Sequence, residues 1–211
     1  MRTILFTLLL MASAPAQTAK LGVFTHSGDV GGPAMKGATT FDAAKGQYRI
    51  TGAGANIWAK ADQFQYVWRE MTGDMAVTVT MQFLGEGADH RKAGIMLRQN
   101  LDTDSPYIDF VIHGNGMPAV QWRNVKGDIT NAADFPFTGP ARYRLKLVRK
   151  GSTMTVFIAK DGTELNELMH TQVQLGNPIL VGLAVCSHKA DAADTVVFSD
   201  VSVEPAGPPV R

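Results

Sequence analysis

One cysteine in 211 residues, Cys186, leaves no partner for an internal disulfide, so packing must hold the chain together. Its apolar neighbours suit a buried, unreactive thiol. An excess of one charge is also missing. The 20 Lys and Arg stand against 19 Asp and Glu, with no basic stripe, which argues against a nucleic-acid partner. After the first sixteen residues no apolar run approaches the roughly 18 residues of a membrane helix, so no membrane insertion is expected of the rest. Metal motifs are sparse. The five histidines (His26, His90, His113, His170, His188) show neither H-x-H nor H-E-x-x-H spacing. Asp102-Thr103-Asp104 reads as a turn in preference to a calcium loop. No cofactor is therefore expected, with structural calcium at that turn as the one weak opening. Paired catalytic acids are lacking too: no expected strand carries two carboxylates on one face, and Glu70, Glu86, Glu164 and Glu167 fall near turns. No nucleophile-elbow motif accompanies His90, His113 or His188.

What is present begins with a secretory start. Arg2, the apolar stretch 4–12 and Ala14-Pro15-Ala16 before Gln17 read as a signal peptide over residues 1–16. The mature chain is expected to be exported, to the periplasm or outside the cell, as one domain over 17–204 with a Pro/Gly-rich tail over 205–211. Turn-forming clusters then recur about every ten residues, with period-two runs between them. Residues 28–37 read as loop. Strands are expected over 47–51, 76–84, 107–113, 119–125, 142–149, 153–160, 181–187 and 195–203, with Asp161-Gly162 as a hairpin turn. No stretch has a convincing helical period, and 164–169 offers one turn at most. Strand-dense and helix-poor, the chain reads as all-β, a sandwich or jelly roll.

The most informative segment is 90–99. At period two, Ala93, Ile95 and Leu97 share one face, and Gly94, Met96 and Arg98 the other. Such a strand, apolar on both faces, belongs in the middle of a sheet whose second face is covered or lines a groove. Arg98 there needs an anionic or hydroxyl-rich partner, because an unpaired charge withdrawn from water is costly. Asp109 and His113 share a face on one neighbouring run, and Gln121 and Arg123 share one on the next. Two readings stay open for this patch: a groove that recognises polyols, or a salt-bridged surface in which Asp109 satisfies both arginines. Trp58 and Asp62 pair a flat ring with a hydrogen-bonding carboxylate, the chemistry of a sugar site. Phe64, Tyr66 and Trp68 alternate as one strand face and read as core.

Five segments resemble a bacterial concanavalin A-like family labelled "regulation of enolase", whose members also occur beside periplasmic β-propellers and glycoside hydrolases. They are GQYRITG at 46–52, GAGANIWAKADQFQYVW at 52–68, HRKAGIMLRQNLD at 90–102, GLAVCSH at 182–188 and FSDVSV at 198–203. The resemblance spans about residues 20–204. It implies a jelly-roll sandwich of two antiparallel sheets, with ligands met on a concave face or at edge loops. It departs from relatives that carry a Trp soon after the Asp-Gly turn, where this chain has Glu164-Leu165. Hydrolases of the wider superfamily place catalytic acids as E-x-D-x-E along one strand, and no such run occurs here. The expected role is a non-catalytic carbohydrate-binding or surface-interaction module, with Trp58, Asp62, Arg98, Asp109, His113, Gln121 and Arg123 as the ligand-binding set. A protein-interaction module docking an envelope propeller or enzyme is the first alternative, and a divergent polysaccharide hydrolase or lyase the second. A fold alone does not choose among them.

Overall fold

Alternation of Val, Ile, Met and Phe with Thr, Gln and charged residues drives this chain into strands, because only a pleated strand sends such side chains to opposite sides. The computed structural model describes residues 21–136 and 139–206. The expected signal peptide and the end of the tail, 207–211, lie outside the described residues. Among those described there are sixteen strands and no helix. They are β1 (His26–Val30), β2 (Ala38–Asp42), β3 (Gln47–Gly54), β4 (Ile57–Trp58), β5 (Ala61–Asp62), β6 (Phe64–Met71), β7 (Met75–Leu84) and β8 (Lys92–Arg98). There follow β9 (Tyr107–His113), β10 (Pro118–Arg123), β11 (Asn131–Asp134), β12 (Tyr143–Lys150), β13 (Thr153–Lys160), β14 (Asn166–Gln172), β15 (Ile179–Cys186) and β16 (Lys189–Pro205).

Two seven-stranded antiparallel sheets result, ordered β1-β6-β15-β8-β9-β10-β11 and β14-β13-β12-β7-β16-β3-β2. The short ribbon β4-β5 stands apart from both. Strands distant in sequence lie side by side, as when β15 pairs with both β6 and β8. This is the jelly-roll sandwich expected from the sequence.

The core between the sheets comes from one face of each. Ala93, Ile95 and Leu97 of β8 and Ile108, Phe110 and Ile112 of β9 join Val77, Val79 and Met81 of β7 and Leu145 and Leu147 of β12. Each large side chain buried there contributes about 1.5–3 kcal/mol. The first sheet carries a second apolar cluster on its outer face, built from Phe64, Tyr66, Trp68, Met96, Tyr107, Leu180 and Ala184. Tyr66 stacks on Trp68 at 5.3 Å, and its hydroxyl donates to the Met96 carbonyl at 3.0 Å. Gly182 permits this, since a Cβ at that position would meet the Tyr66 ring at 2.8 Å. Cys186 is buried in the same cluster, and burial pushes its thiol up to about 11.

Two local expectations are corrected. Residues 28–37 are not all loop: β1 reaches Val30 because its backbone pairs with β6 from His26↔Trp68 to Val30↔Phe64. Residues 164–169 form no helical turn. From Asn166 the chain runs as β14 along β13, whose unpaired edge satisfies its backbone groups. Asp161-Gly162, both at positive φ, turn β13 into β14.

Candidate functional site

Asp62 organises one end of the outer face of the first sheet. Its carboxylate accepts a two-pronged contact from Arg123, Nη1 to Oδ2 at 3.0 Å and Nη2 to Oδ1 at 2.9 Å. Arg98 donates to the same Oδ2 at 3.3 Å. All three side chains are fully buried. Period two places Arg98 on β8 and Arg123 on β10 facing the same way, while the β4-β5 ribbon brings Asp62 down onto them. The remaining guanidinium protons go to loop carbonyls. Arg98 donates to Asn100 O at 2.6 Å and Asp102 O at 2.5 Å. Arg123 donates to Ser105 O at 2.9 Å, Asp128 O at 3.0 Å and Ala59 O at 3.0 Å. Burial pulls the Arg98 pKa down and the Asp62 charge pulls it back. Charge-assisted bonds at good geometry offset the cost of taking these ions out of water.

Beside this network the outer face opens into a hollow of about 220 Å³ lined by Asn56, Trp58, His90, Lys92, His113, Met117, Gln121, Asp134 and His188. Trp58 forms a wall and is 40% exposed, one of few large apolar side chains left in water. Its backbone turns at Ala59, which holds a positive φ of 53°. Lys92, only 3% exposed, donates from Nζ to Asn56 Oδ1 at 2.7 Å and to the Ile57 carbonyl at 2.9 Å. That ammonium lies 5.4 Å from the Trp58 ring centre, so it ties the ribbon to the sheet and steadies the ring. Three histidines distant in sequence meet here. His90 Nδ1 and His113 Nδ1 lie 3.2 Å apart, and the His90 and His188 rings 5.7 Å apart. Burial, Lys92 and the neighbouring imidazoles push His113 down to about 3. Burial first, then Lys92 and His90, lower His188 as well. The His113 and His188 rings that line the hollow are therefore neutral near pH 7.

Of the seven expected site residues, the structure gathers Trp58, His113 and Gln121 around the hollow. It sets Asp109 beneath it, directly across from Gln121 on β10 and Met96 on β8. Asp62, Arg98 and Arg123 lie under the ribbon and the 99–105 loop, where they position other groups and have no surface for a ligand. The expectation that Asp109 satisfies the arginines is corrected: Asp62 does, because the ribbon carries it onto the sheet. Asp102 and Asp104, the possible calcium ligands, face Lys126, whose ammonium lies 2.5 Å from Asp102 and 3.7 Å from Asp104. Lys92 was missed, although its place at period two with Gly94, Met96 and Arg98 was a signal that could have found it. Asn56, His90, His188 and Asp134 had no such signal, because their convergence depends on the ribbon and on the β15-β8 and β10-β11 pairings.

Asp109 is fully buried, and among the described residues neither carboxylate oxygen, nor Gln121 Oε1, has a hydrogen-bond partner of good geometry. Two buried acceptors on directly paired residues fit together if the acid carries a proton and donates it. Burial indeed raises the Asp109 pKa well above 3.8, against the pull of Lys92. The folded value exceeds the unfolded one, so its favourable contribution is complete below about pH 4 and is lost as pH rises through the folded pKa. Each unit of that shift costs about 1.4 kcal/mol above it. Asp109→Asn should therefore raise the melting temperature at pH 7–8 by several degrees, at about 2–4 °C per kcal/mol. The gain should vanish near pH 4. Calorimetry across this range checks it, and a gain independent of pH would contradict the protonated acid.

No family model and no curated protein matches the sequence. Solved structures do resemble the fold. A functionally unknown protein from Saccharomyces cerevisiae is similar over 86% of this chain and 97% of its own, at 15% identity and TM-score 0.66. The carbohydrate-binding module CBM66 from Bacillus subtilis is similar over 86% and 97%, at 14% identity and TM-score 0.54. A Lotus tetragonolobus seed lectin is similar over 82% and 93%, at 7% identity and TM-score 0.51. These solved structures and the present chain share a β-sandwich fold.

Proposed function

We propose that the protein is an exported, non-catalytic carbohydrate-binding module whose ligand seats in the hollow between Trp58 and Gln121. The observation that carries this reading is a half-exposed tryptophan standing over a polar floor. A sugar ring offers a CH face to Trp58 and hydroxyls to side chains such as Gln121, Asn56 and His113. The volume of about 220 Å³ suits a single sugar ring. The likeness in fold to CBM66 and a lectin supports the same reading. The five segments quoted above further support a place in the "regulation of enolase" group. A glycan array with gel shifts in soluble polysaccharides tests it. Binding should appear and should weaken at least tenfold in Gln121→Ala. No retention on any saccharide would remove the reading.

A second reading, a module that docks an envelope protein, is favoured by one observation. Leu101, Val125 and Ile129 are exposed on loops next to Trp58. These loops are tied together by Gly127 N to Asp104 O and Thr130 N to Ala59 O, both at 3.0 Å. If a partner copurifies with the wild type and is lost in a Leu101→Ser, Ile129→Ser variant that keeps saccharide binding, this rim carries a separate function.

A further inference from the structure

We infer that the hollow selects an electrically neutral sugar, and that Asp134 and Lys92 are the residues that set this choice. The inference rests on the carbohydrate-binding reading and adds the ligand class. Its basis is the placing of two opposite charges on opposite walls. Lys92 enters from β8, with two of its three protons given to Asn56 and Ile57 and one left. Asp134 closes the other side from β11, directly across from Ala119 on β10. Ala119 shares its face with Gln121, so Asp134 points to the same hollow, and it is exposed. Among the described residues Asp134 makes no ion pair. The flanking imidazoles of His113 and His188 are neutral and do not tip the balance.

A uronate or sulfate that gains from Lys92 meets repulsion from Asp134. An amine that gains from Asp134 meets repulsion from Lys92. A hydroxyl both donates and accepts, so a neutral sugar can donate to Asp134 and accept from Lys92 without meeting either repulsion. Asp134 is the more telling of the two, because Lys92 is buried and structurally committed while the Asp134 side chain has no hydrogen bond or ion pair among the described residues.

Titration calorimetry with matched saccharides, glucose against glucuronic acid and galactose against galacturonic acid, tests this on the full-length mature protein. The wild type should favour the neutral member about tenfold, because a carboxylate gives up water there while Asp134 offsets what it gains from Lys92. Asp134→Asn leaves Lys92 unopposed, so it should bring the two to parity or turn the preference towards the acidic member, and added salt should narrow the wild-type ratio. An unchanged melting temperature shows that the variant folds. Equal or tighter binding of the acidic sugar by the wild type, or an unchanged ratio in Asp134→Asn, overturns the inference and leaves carbohydrate binding standing. A blank for every saccharide, neutral or acidic, removes both.

Discussion

Asp62→Ala should lower the melting temperature by about 6–20 °C, the largest stability loss expected of any single polar substitution in this chain. The substitution deletes the one anion shared by two fully buried guanidiniums. Removing one partner from such a network costs about 3–5 kcal/mol, because the surviving charges stay buried without compensation. At this chain length each kcal/mol is worth about 2–4 °C. Here two like charges would be left facing each other, with Met96 Sδ and loop carbonyls as their remaining company. Asp62→Asn keeps hydrogen-bond acceptors at the site and removes the charge, so it should fall between wild type and Ala. Thermal melts of the three proteins decide the matter. A loss under about 2 °C in Asp62→Ala would show that the carbonyls alone satisfy the arginines.

Trp58→Ala should do the reverse, sparing stability and removing binding. Its ring is 40% exposed and belongs to neither apolar cluster, so its loss leaves no cavity in the core. If it stacks on the sugar, it is the anchor of the site. An aromatic anchor is worth at least about 2 kcal/mol, or roughly thirtyfold in affinity. Trp58→Phe keeps a smaller face and should retain part of the binding. Affinity within threefold of wild type in Trp58→Ala, on any saccharide the protein binds, would place the ligand elsewhere. Opposite responses of melting temperature and affinity in Asp62→Ala and Trp58→Ala would separate the framework of the site from its contact surface.

How far the sequence could be read depended on what kind of order each residue obeyed. Where alternation was long and regular, as over 76–84 and 153–160, the strands β7 and β13 were legible from side-chain period alone. The two-faced apolar strand 92–98 was legible as central because a strand with water on one side has no use for Met96. Edge strands β1, β2, β11 and β14 were missed, since their exposed residues carry little apolar signal and their pairing comes from the neighbour. The same limit applies to the site. Trp58, His113 and Gln121, picked out by chemistry and face, lie around the one hollow. His90, His188 and Asp134 come to that place through pairings between strands far apart in sequence, and a single sequence does not display pairing. The choice between Asp62 and Asp109 as partner of the arginines turned on a two-residue ribbon, β4-β5, too short to have a period at all.

The arginine hub grips its loops through main-chain carbonyls at Ala59, Asn100, Asp102, Ser105 and Asp128. A carbonyl is the same on every amino acid. The anchor is therefore blind to which residues the loops display, and Leu101, Val125 and Ile129 can be exchanged without rewriting it. The tips can therefore change while the hub stays fixed. The same property makes the three tips the natural positions at which to randomise the molecule for new partners.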